Sequence, residues 1–186
     1  RAAIQKLLRR NFIAVVMNYR GANHGMGSNV KTMCGHDTDD VCAVLDFLKG
    51  EYPKSRIMVI GSSMGGVIAS NLLTNPAKKQ RDFIDAALLI SAPFNIVESE
   101  KRMSQGINKH IVNSFIINQL VNRLLKQKAV LESDIIDVNR LNSVNSIRGF
   151  DECYTCPVYG FSSPDEYYKQ CSFHDRLHEI NIPTCA

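Results

Sequence analysis

The sequence predicts an α/β fold with a mostly parallel, doubly wound sheet, and two observations support that prediction. Three short apolar runs each end in a polar or glycine-containing turn, and helical patterns lie between them. The runs are residues 12–17 (FIAVVM), 57–60 (IMVI) and 86–90 (AALLI). Because their apolarity is continuous rather than alternating, we expect helices to cover both faces of these strands.

Two helices are predicted between the strands. Residues 37–49 carry apolar side chains at i, i+3, i+4 and i+7, and acids in the first turn, where the helix dipole favours them. The apolar stripe consists of Val41, Val44, Leu45 and Leu48. Gly50 is expected to end this helix. A second helix, rich in small residues, is predicted over residues 64–73 and ends before Asn75-Pro76.

The character of the sequence changes after Pro93. Residues 107–131 form a long amphipathic pattern, and residues 132–150 are interpreted as a polar connection rich in Asn and Ser. The apolar positions of the amphipathic pattern are Ile107, Ile111, Phe115, Leu120 and Leu124. We therefore expect one domain, in which residues 1–93 hold the central strands, 94–175 form a helical cap inserted over the sheet, and 176–186 approach the next core strand.

Composition excludes several classes of protein. The chain has 186 residues, a formal net charge of +4, 45% hydrophobic residues and 22% charged residues, as expected for one globular core. Basic residues are scattered among acids, so we expect no nucleic-acid partner. Six cysteines at irregular spacings favour a reducing, intracellular compartment. Cys153 and Cys156 form a C-x-x-C without a second ligand pair, so no metal site is predicted there.

One motif carries chemistry. The 57–60 strand runs into GSSMGG (61–66), which contains G-x-S-x-G with Ser63 at its centre. A nucleophile on a sharp strand-to-helix turn needs small neighbours two residues away on either side, and Gly61 and Gly65 meet that need. The following helix points its N-terminus at the site, where the N–H of Met64 can stabilise an oxyanion.

The same segment has two simpler interpretations. A glycine-rich turn can merely pack, or it can hold a phosphate. A Walker loop requires G-x-x-x-x-G-K-[ST], and no Lys follows these glycines; the dinucleotide fingerprint G-x-G-x-x-G does not fit either. The apolar strand before the motif and the small-residue helix after it favour the nucleophile, so we predict Ser63 in that role.

A succession of segments extends the pattern over nearly the whole chain. It comprises NYRG (18–21), CGHDTDDV (34–41), GSSMGG (61–66), SAPF (91–94), SIRGFDE (146–152), YGF (159–161), YY (167–168) and INIP (180–183). In this order the chain resembles the AB hydrolase 4 family of α/β-hydrolase-fold esterases and lipases. The resemblance implies an α/β-hydrolase fold, a Ser-Asp-His triad, an acyl ester or lipid as substrate, and no metal or organic cofactor.

The resemblance also implies where the rest of the catalytic machinery lies. It places the nucleophile on Ser63 and a backbone oxyanion donor on Met64, whereas the triad acid follows the segment 180–183 and the His comes later still. We therefore expect an internal fragment, incomplete at both ends. The resemblance is also compatible with membrane association through an N-terminal segment ahead of residue 1. The alternative function is a non-catalytic hydrolase-like binding module, or an inactive truncated product.

Other histidine-containing segments are given structural roles. His24-Gly25-Met26-Gly27 resembles an oxyanion loop but follows the wrong strand, so we interpret it as a connection. His36, Asp37, Asp39 and Asp40 are explained by helix capping and first-turn acids, not by a metal. His174 and His178, at i and i+4 of a predicted helix, lack the glutamate of H-E-x-x-H. They are interpreted as a solvated helix face.

Overall fold

The sheet has three parallel strands. The computed structural model describes residues 2–21, 30–110 and 114–186 of the chain. The strands are β1 (Met58–Ser62), β2 (Ala86–Ile90) and β3 (Thr184–Cys185), in the order β1-β2-β3. In the register of the first pair, Met58 lies opposite Ala86 and Ser62 opposite Ile90. The carboxyl ends of β1 and β2 therefore lie side by side.

The described chain also contains eleven α-helices. They are α1 (Ala2–Leu8), α2 (Asp39–Glu51), α3 (Met64–Leu73), α4 (Ile96–Met103), α5 (Gly106–Asn108), α6 (Ser114–Leu124), α7 (Lys128–Leu131), α8 (Val138–Asn142), α9 (Ile147–Phe150), α10 (Cys156–Tyr159) and α11 (Pro164–Cys171). Two 3₁₀ turns cover Lys79–Phe83 and His174–Glu179, and a π-helical turn covers Asp151–Thr155. The α/β class is thus confirmed, and α3 and β2 have the bounds that the sequence predicts.

The predicted strand at residues 12–17 is wrong for the described structure. This segment has no regular secondary structure and pairs with none of the three strands, and Phe12, Ile13, Val15 and Val16 are each more than half exposed. Apolarity indicates that a segment favours burial, but a strand also needs a neighbour whose backbone completes its hydrogen bonds. The sequence pattern gives no information about that neighbour.

Two expectations about the segment after Pro93 also need correction. The amphipathic pattern of residues 107–131 is divided among α5, α6 and α7, and Ile107 and Phe115 are 73% and 67% exposed. Ile111 lies outside the described residues. The 132–150 connection contains α8 and α9, whose N-terminal N–H groups are capped by the side chains of Asp137 and Ser146. These caps stabilise helices too short to show a period.

Three clusters of buried side chains hold the elements together. One joins α2 and α3 to β2 and contains Cys42, Leu45, Leu72, Leu73, Ile84 and Ala87. A second joins α3 to α4 and α11 and contains Cys34, Val67, Ile96, Tyr167, Tyr168, Cys171 and Phe173. A third lies among the helices after residue 114 and contains Ile117, Val121, Leu124, Val130, Ile136, Leu141, Phe150 and Tyr154. Because α3 belongs to the first two clusters, its position is fixed from both sides.

The buried amide of Asn71 connects α3 to two distant segments. Its Nδ2 donates to the carbonyl oxygens of Gly35 at 3.0 Å and Cys171 at 2.9 Å, and its Oδ1 accepts from Arg176 at 2.7 Å. Backbone carbonyls buried without a donor cost free energy. One side chain therefore satisfies two carbonyls that come from opposite ends of the sequence.

Asn71→Ala is expected to lower the free energy of unfolding by about 2 kcal/mol or more, because it leaves those two carbonyls without their donor. Urea unfolding followed by circular dichroism measures the change. Asn118→Ala, an exposed substitution on α6, is the control and should shift stability by no more than about 0.5 kcal/mol. Equal effects of the two substitutions would show that the buried amide does not stabilise the fold.

Candidate active site

Ser63 occupies the single residue between β1 and α3. Its backbone has φ 53° and ψ −123°, in the left-handed half of the conformational map that L-residues rarely adopt. Its N–H donates to the carbonyl oxygen of Ile90 at 2.8 Å, and its own carbonyl accepts from the N–H groups of Gly66 and Val67. The strand and the helix are thus joined without a loop, and the exposed side chain of Ser63 stands at the carboxyl edge of the sheet.

Close backbone contacts explain the glycines of this turn. A Cβ on Gly61 would lie 2.6 Å from the carbonyl oxygen of Gly65, and a Cβ on Gly66 would lie 2.6 Å from the Cβ of Ala92. At Gly65 a Cβ would meet only the hydroxyl of Tyr19, at 3.4 Å. Steric crowding therefore requires glycine at positions 61 and 66, and space alone does not require it at 65. The G-x-S-x-G motif ends at Gly65 and therefore does not include Gly66, although the sequence has glycine at both positions 65 and 66.

The N-terminus of α3 gives the turn its electrostatic character. The first N–H groups of a helix have no acceptor inside it and carry part of the positive end of the helix dipole. Met64 is the first residue of α3 and directly follows Ser63, so its N–H is one of these free groups. An anion forming on an atom bound to Ser63 Oγ would face this end of the helix.

No described histidine or carboxylate hydrogen-bonds the hydroxyl of Ser63. His36 packs edge-on against Phe161, and His174 pairs with its neighbour Asp175 at 3.3 Å. His110 is exposed at the end of the 106–110 helical segment. His24, Gly25, Met26 and Gly27 lie outside the described residues. Within the described ranges, Ser63 is thus a strained, exposed hydroxyl at a helix N-terminus without a base beside it.

A family model described as serine aminopeptidase, S33, of the Hydrolase_4 class, matches residues 1–148. The chain belongs to the S33 hydrolase family. This confirms the α/β-hydrolase resemblance that the sequence motifs indicate. No solved structure matches the chain.

Several curated proteins are similar to this S33 family member. They include a putative esterase, YheT, of Escherichia coli, 28% identical over 183 residues (97% of this chain, 53% of the relative), and phospholipase ABHD3 of Bos taurus, 28% identical over 172 residues (91% and 40%). Monoacylglycerol lipase of Saccharomyces cerevisiae is 25% identical over 182 residues (95% and 40%). The chain therefore spans about half the length of the curated relatives that it matches, or less.

The NYRG segment of this S33 member lies against the turn. The Tyr19 hydroxyl approaches Gly65, and burial, with the charge of Asp40, raises the pKa of Tyr19, so the phenol stays protonated near neutral pH. Arg20 Nε donates to Asp40 Oδ2 at 2.7 Å, and this hydrogen bond raises the pKa of Arg20. The Arg20–Asp40 pair thereby holds the NYRG segment on α2, and Tyr19 lies beside the serine turn.

The other sequence candidates have structural partners. Asp39 pairs with Lys78, which lowers the pKa of that carboxyl, and Asp37 accepts the N–H of Asp39. His174 and His178 lie in a 3₁₀ turn, so residues four apart do not share a face as they would on the α-helix that the sequence predicts. In the described parts of the chain no three His, Cys, Asp or Glu side chains are grouped as metal ligands.

All six cysteines are free thiols. Cys153 and Cys156 are buried in successive helical turns, and burial raises the pKa of both thiols. Cys34 and Cys171 share a hydrogen bond, which lowers the pKa of Cys34, while burial raises that of Cys171. A Cβ on Gly35, the residue after Cys34, would be 3.1 Å from Met64 Sδ and 3.2 Å from Cys171 Sγ. This buried sulfur cluster supports the start of α3 from below.

The open cavity beside α11 does not include Ser63. It is lined by His36, Glu166, Lys169, Gln170, Ser172 and Arg176. None of residues 61–66 contributes to it.

No helix in the described ranges is long and apolar enough to cross a bilayer.

Proposed function

We propose that the protein is a serine ester hydrolase and that Ser63 is its nucleophile. The observation that carries the proposal is the backbone of Ser63: a non-glycine residue is held at positive φ, exposed, at the start of a helix and at the carboxyl edge of a parallel sheet. Non-glycine residues held in such strained backbone conformations cluster at active sites. The esterase, phospholipase and lipase names of the relatives support an acyl ester or lipid as the substrate.

In the proposed reaction, Ser63 Oγ attacks the ester carbonyl carbon while a general base takes its proton. The carbonyl oxygen becomes an oxyanion, stabilised by the Met64 N–H and the dipole of α3. The ester C–O bond then breaks, and the alcohol leaves with the proton held by the base. Water hydrolyses the acyl-serine, which releases the acid and restores the Ser63 hydroxyl. We propose that the triad acid and histidine come from sequence outside these 186 residues.

The helices of residues 94–175 are proposed to form the cap of this active site. Exposed apolar side chains of α5 and α6, among them Ile107 and Phe115, suit contact with an acyl chain or with a lipid surface. The buried clusters joined to α4 and α11 would hold that cap beside the serine turn.

Ser63→Ala in the protein expressed from its complete reading frame is expected to abolish labelling by a fluorophosphonate probe. Hydrolysis of p-nitrophenyl esters should fall by about 10⁴-fold or more, because no other group supplies the covalent step. Ser62→Ala, which removes the neighbouring exposed hydroxyl at the end of β1, is the matched control and should keep both activities.

Three results would argue against the proposal. Labelling of Ser63→Ala equal to wild type would exclude Ser63 as the nucleophile. Absence of labelling and of hydrolysis in the wild-type protein would favour the non-catalytic binding module. Hydrolysis of aminoacyl p-nitroanilides but not of esters would indicate a peptidase, in keeping with the aminopeptidase name of the family model.

A further inference from the structure

A second serine shares the positive φ of Ser63. Among the described residues, the non-glycine residues with positive φ are Asn11, Ser63 and Ser91, and Ser91 has φ 51°. Asn tolerates this region because of its short polar side chain, whereas Ser has no such preference. Ser91 directly follows β2, just as Ser63 directly follows β1.

The two serines are neighbours across the sheet. β1 and β2 are parallel, and Ser62 is paired with Ile90, so Ser63 and Ser91 are the next residues in register. Adjacent strands lie roughly 5 Å apart, and the Ser63 N–H to Ile90 carbonyl bond shows that the spacing persists at this point. Both exposed side chains therefore lie at the same edge of the sheet.

Contacts on the C-terminal side keep Ser91 in this conformation. Ala92 packs directly on Gly66 of α3, leaving no room for a side chain there. The carbonyl oxygen of Phe94 accepts from the N–H groups of Phe173 and His174, and the rings of Phe94 and Phe173 lie 5.1 Å apart. The backbone must change direction between the end of β2 and the contacts of Ala92 and Phe94, and the positive φ of Ser91 provides that change.

The turn alone does not account for serine. Gly would adopt φ 51° without the strain that a Cβ causes. No described residue hydrogen-bonds the Ser91 hydroxyl, and the side chain is exposed. The position thus carries backbone strain and presents a hydroxyl, unused by the fold, next to the proposed nucleophile.

We propose that Ser91 is a substrate-binding residue that selects esters whose alcohol portion carries further oxygen atoms, such as glycerol esters. This inference rests on the proposed function of Ser63. A hydroxyl gains nothing from an apolar acyl chain, whereas it can donate to or accept from a hydroxyl or ether oxygen of the alcohol portion. A site that hydrogen-bonds a substrate hydroxyl discriminates against the analogue that lacks it.

The test compares two esters of the same fatty acid, a glycerol monoester and a propyl ester, in the complete protein. Ser91→Ala and Ser91→Gly both remove the hydroxyl, but Ala keeps the strained backbone and Gly relieves it. Both variants are expected to lose about tenfold in kcat/KM for the glycerol ester, the effect of one hydrogen bond. The propyl ester should change by less than about twofold in kcat/KM, since it makes no such bond. Fluorophosphonate labelling of Ser63 should persist.

Other outcomes overturn the proposal. Unchanged kcat/KM for both esters, with Ser63 active, means that Ser91 serves only the turn. Equal losses for both esters mean a structural role, and so does a loss in Ser91→Ala that Ser91→Gly does not show. Ser91→Gly relieves the backbone strain, so we expect this variant to fold. Thermal unfolding of both variants checks that they are folded. A wild-type protein that neither labels nor hydrolyses esters rejects the function of Ser63 together with that of Ser91.

Discussion

Gly61→Ala is expected to lower the free energy of unfolding by about 3 kcal/mol or more and to abolish fluorophosphonate labelling of Ser63. The added methyl would lie 2.6 Å from the Gly65 carbonyl oxygen and 2.7 Å from Gly66 Cα. Both contacts are with backbone, so no side chain can move aside. The start of α3 would have to shift away from β1, and the serine turn would open.

A second glycine provides the control. Gly50 lies in α2, and an added Cβ would have no atom within 4 Å apart from its neighbours and the backbone of its own helix. Gly50→Ala should therefore raise the free energy of unfolding by up to about 1 kcal/mol, as expected for removing glycine from a helix. Chemical denaturation measures both variants. If Gly61→Ala unfolds at the same denaturant concentration as Gly50→Ala, the close contact between β1 and α3 does not exist in solution.

Asp151→Asn is expected to remove a pH dependence of stability. Asp151 is buried in the π-helical turn, where its Oδ1 accepts from Thr155 at 2.6 Å and its Oδ2 from Tyr168 at 2.7 Å. Burial raises the pKa of Asp151 from its ordinary 3.8 to about 6, although the two hydroxyls oppose the shift and Glu100 adds to it. The carboxylate is thus held by neutral partners in a poorly solvated position.

The sign of the effect follows from proton binding. The folded protein binds this proton more tightly than the unfolded chain does, so the contribution is fully present below pH 3.8 and is lost as the pH rises through about 6. The shift corresponds to about 3 kcal/mol over that window. Asn can accept from one hydroxyl and donate to the other, so Asp151→Asn should keep the packing and lose the slope.

Denaturation curves recorded from pH 4 to pH 8 provide the measurement. Asp165→Asn is the control: Asp165 is exposed, and its pair with Arg148 lowers the pKa of its carboxyl, so this variant should keep the wild-type fall in stability. A slope in Asp151→Asn that matches wild type would show that Asp151 does not titrate in this window.

The sequence predicts the strand and the helix around the serine because their apolar patterns match the buried positions that these segments occupy. The run 86–90 is apolar throughout and pairs with β1, and the small-residue segment 64–73 is buried from Gly66 to Leu73. Residues 12–17 have the same apolarity, but their pairing depends on a neighbouring strand that the run itself does not specify. In the same way, α8 and α9 depend on single capping side chains, Asp137 and Ser146, and not on a period.

The serine turn was predictable from G-x-S-x-G because its strain is local. The need for glycine at position 66 was not, since it arises from Ala92, which lies on the next strand's turn. The backbone of Ser91 likewise follows from contacts with α3 and with Phe173, which no short motif contains. SAPF (91–94) marked the position in the sequence without indicating what it does.

The hydrogen bond from the Ser63 N–H to Ile90 has a mechanical consequence for the proposed nucleophile. The backbone of Ser63 is held by this hydrogen bond to β2 as well as by its covalent link to β1. If β2 slipped by one residue, which is about 3.3 Å, the serine would lose its fixed point while every residue of its own motif stayed unchanged. The position of the Ser63 hydroxyl therefore depends on the relative register of β1 and β2, and not on the serine motif alone.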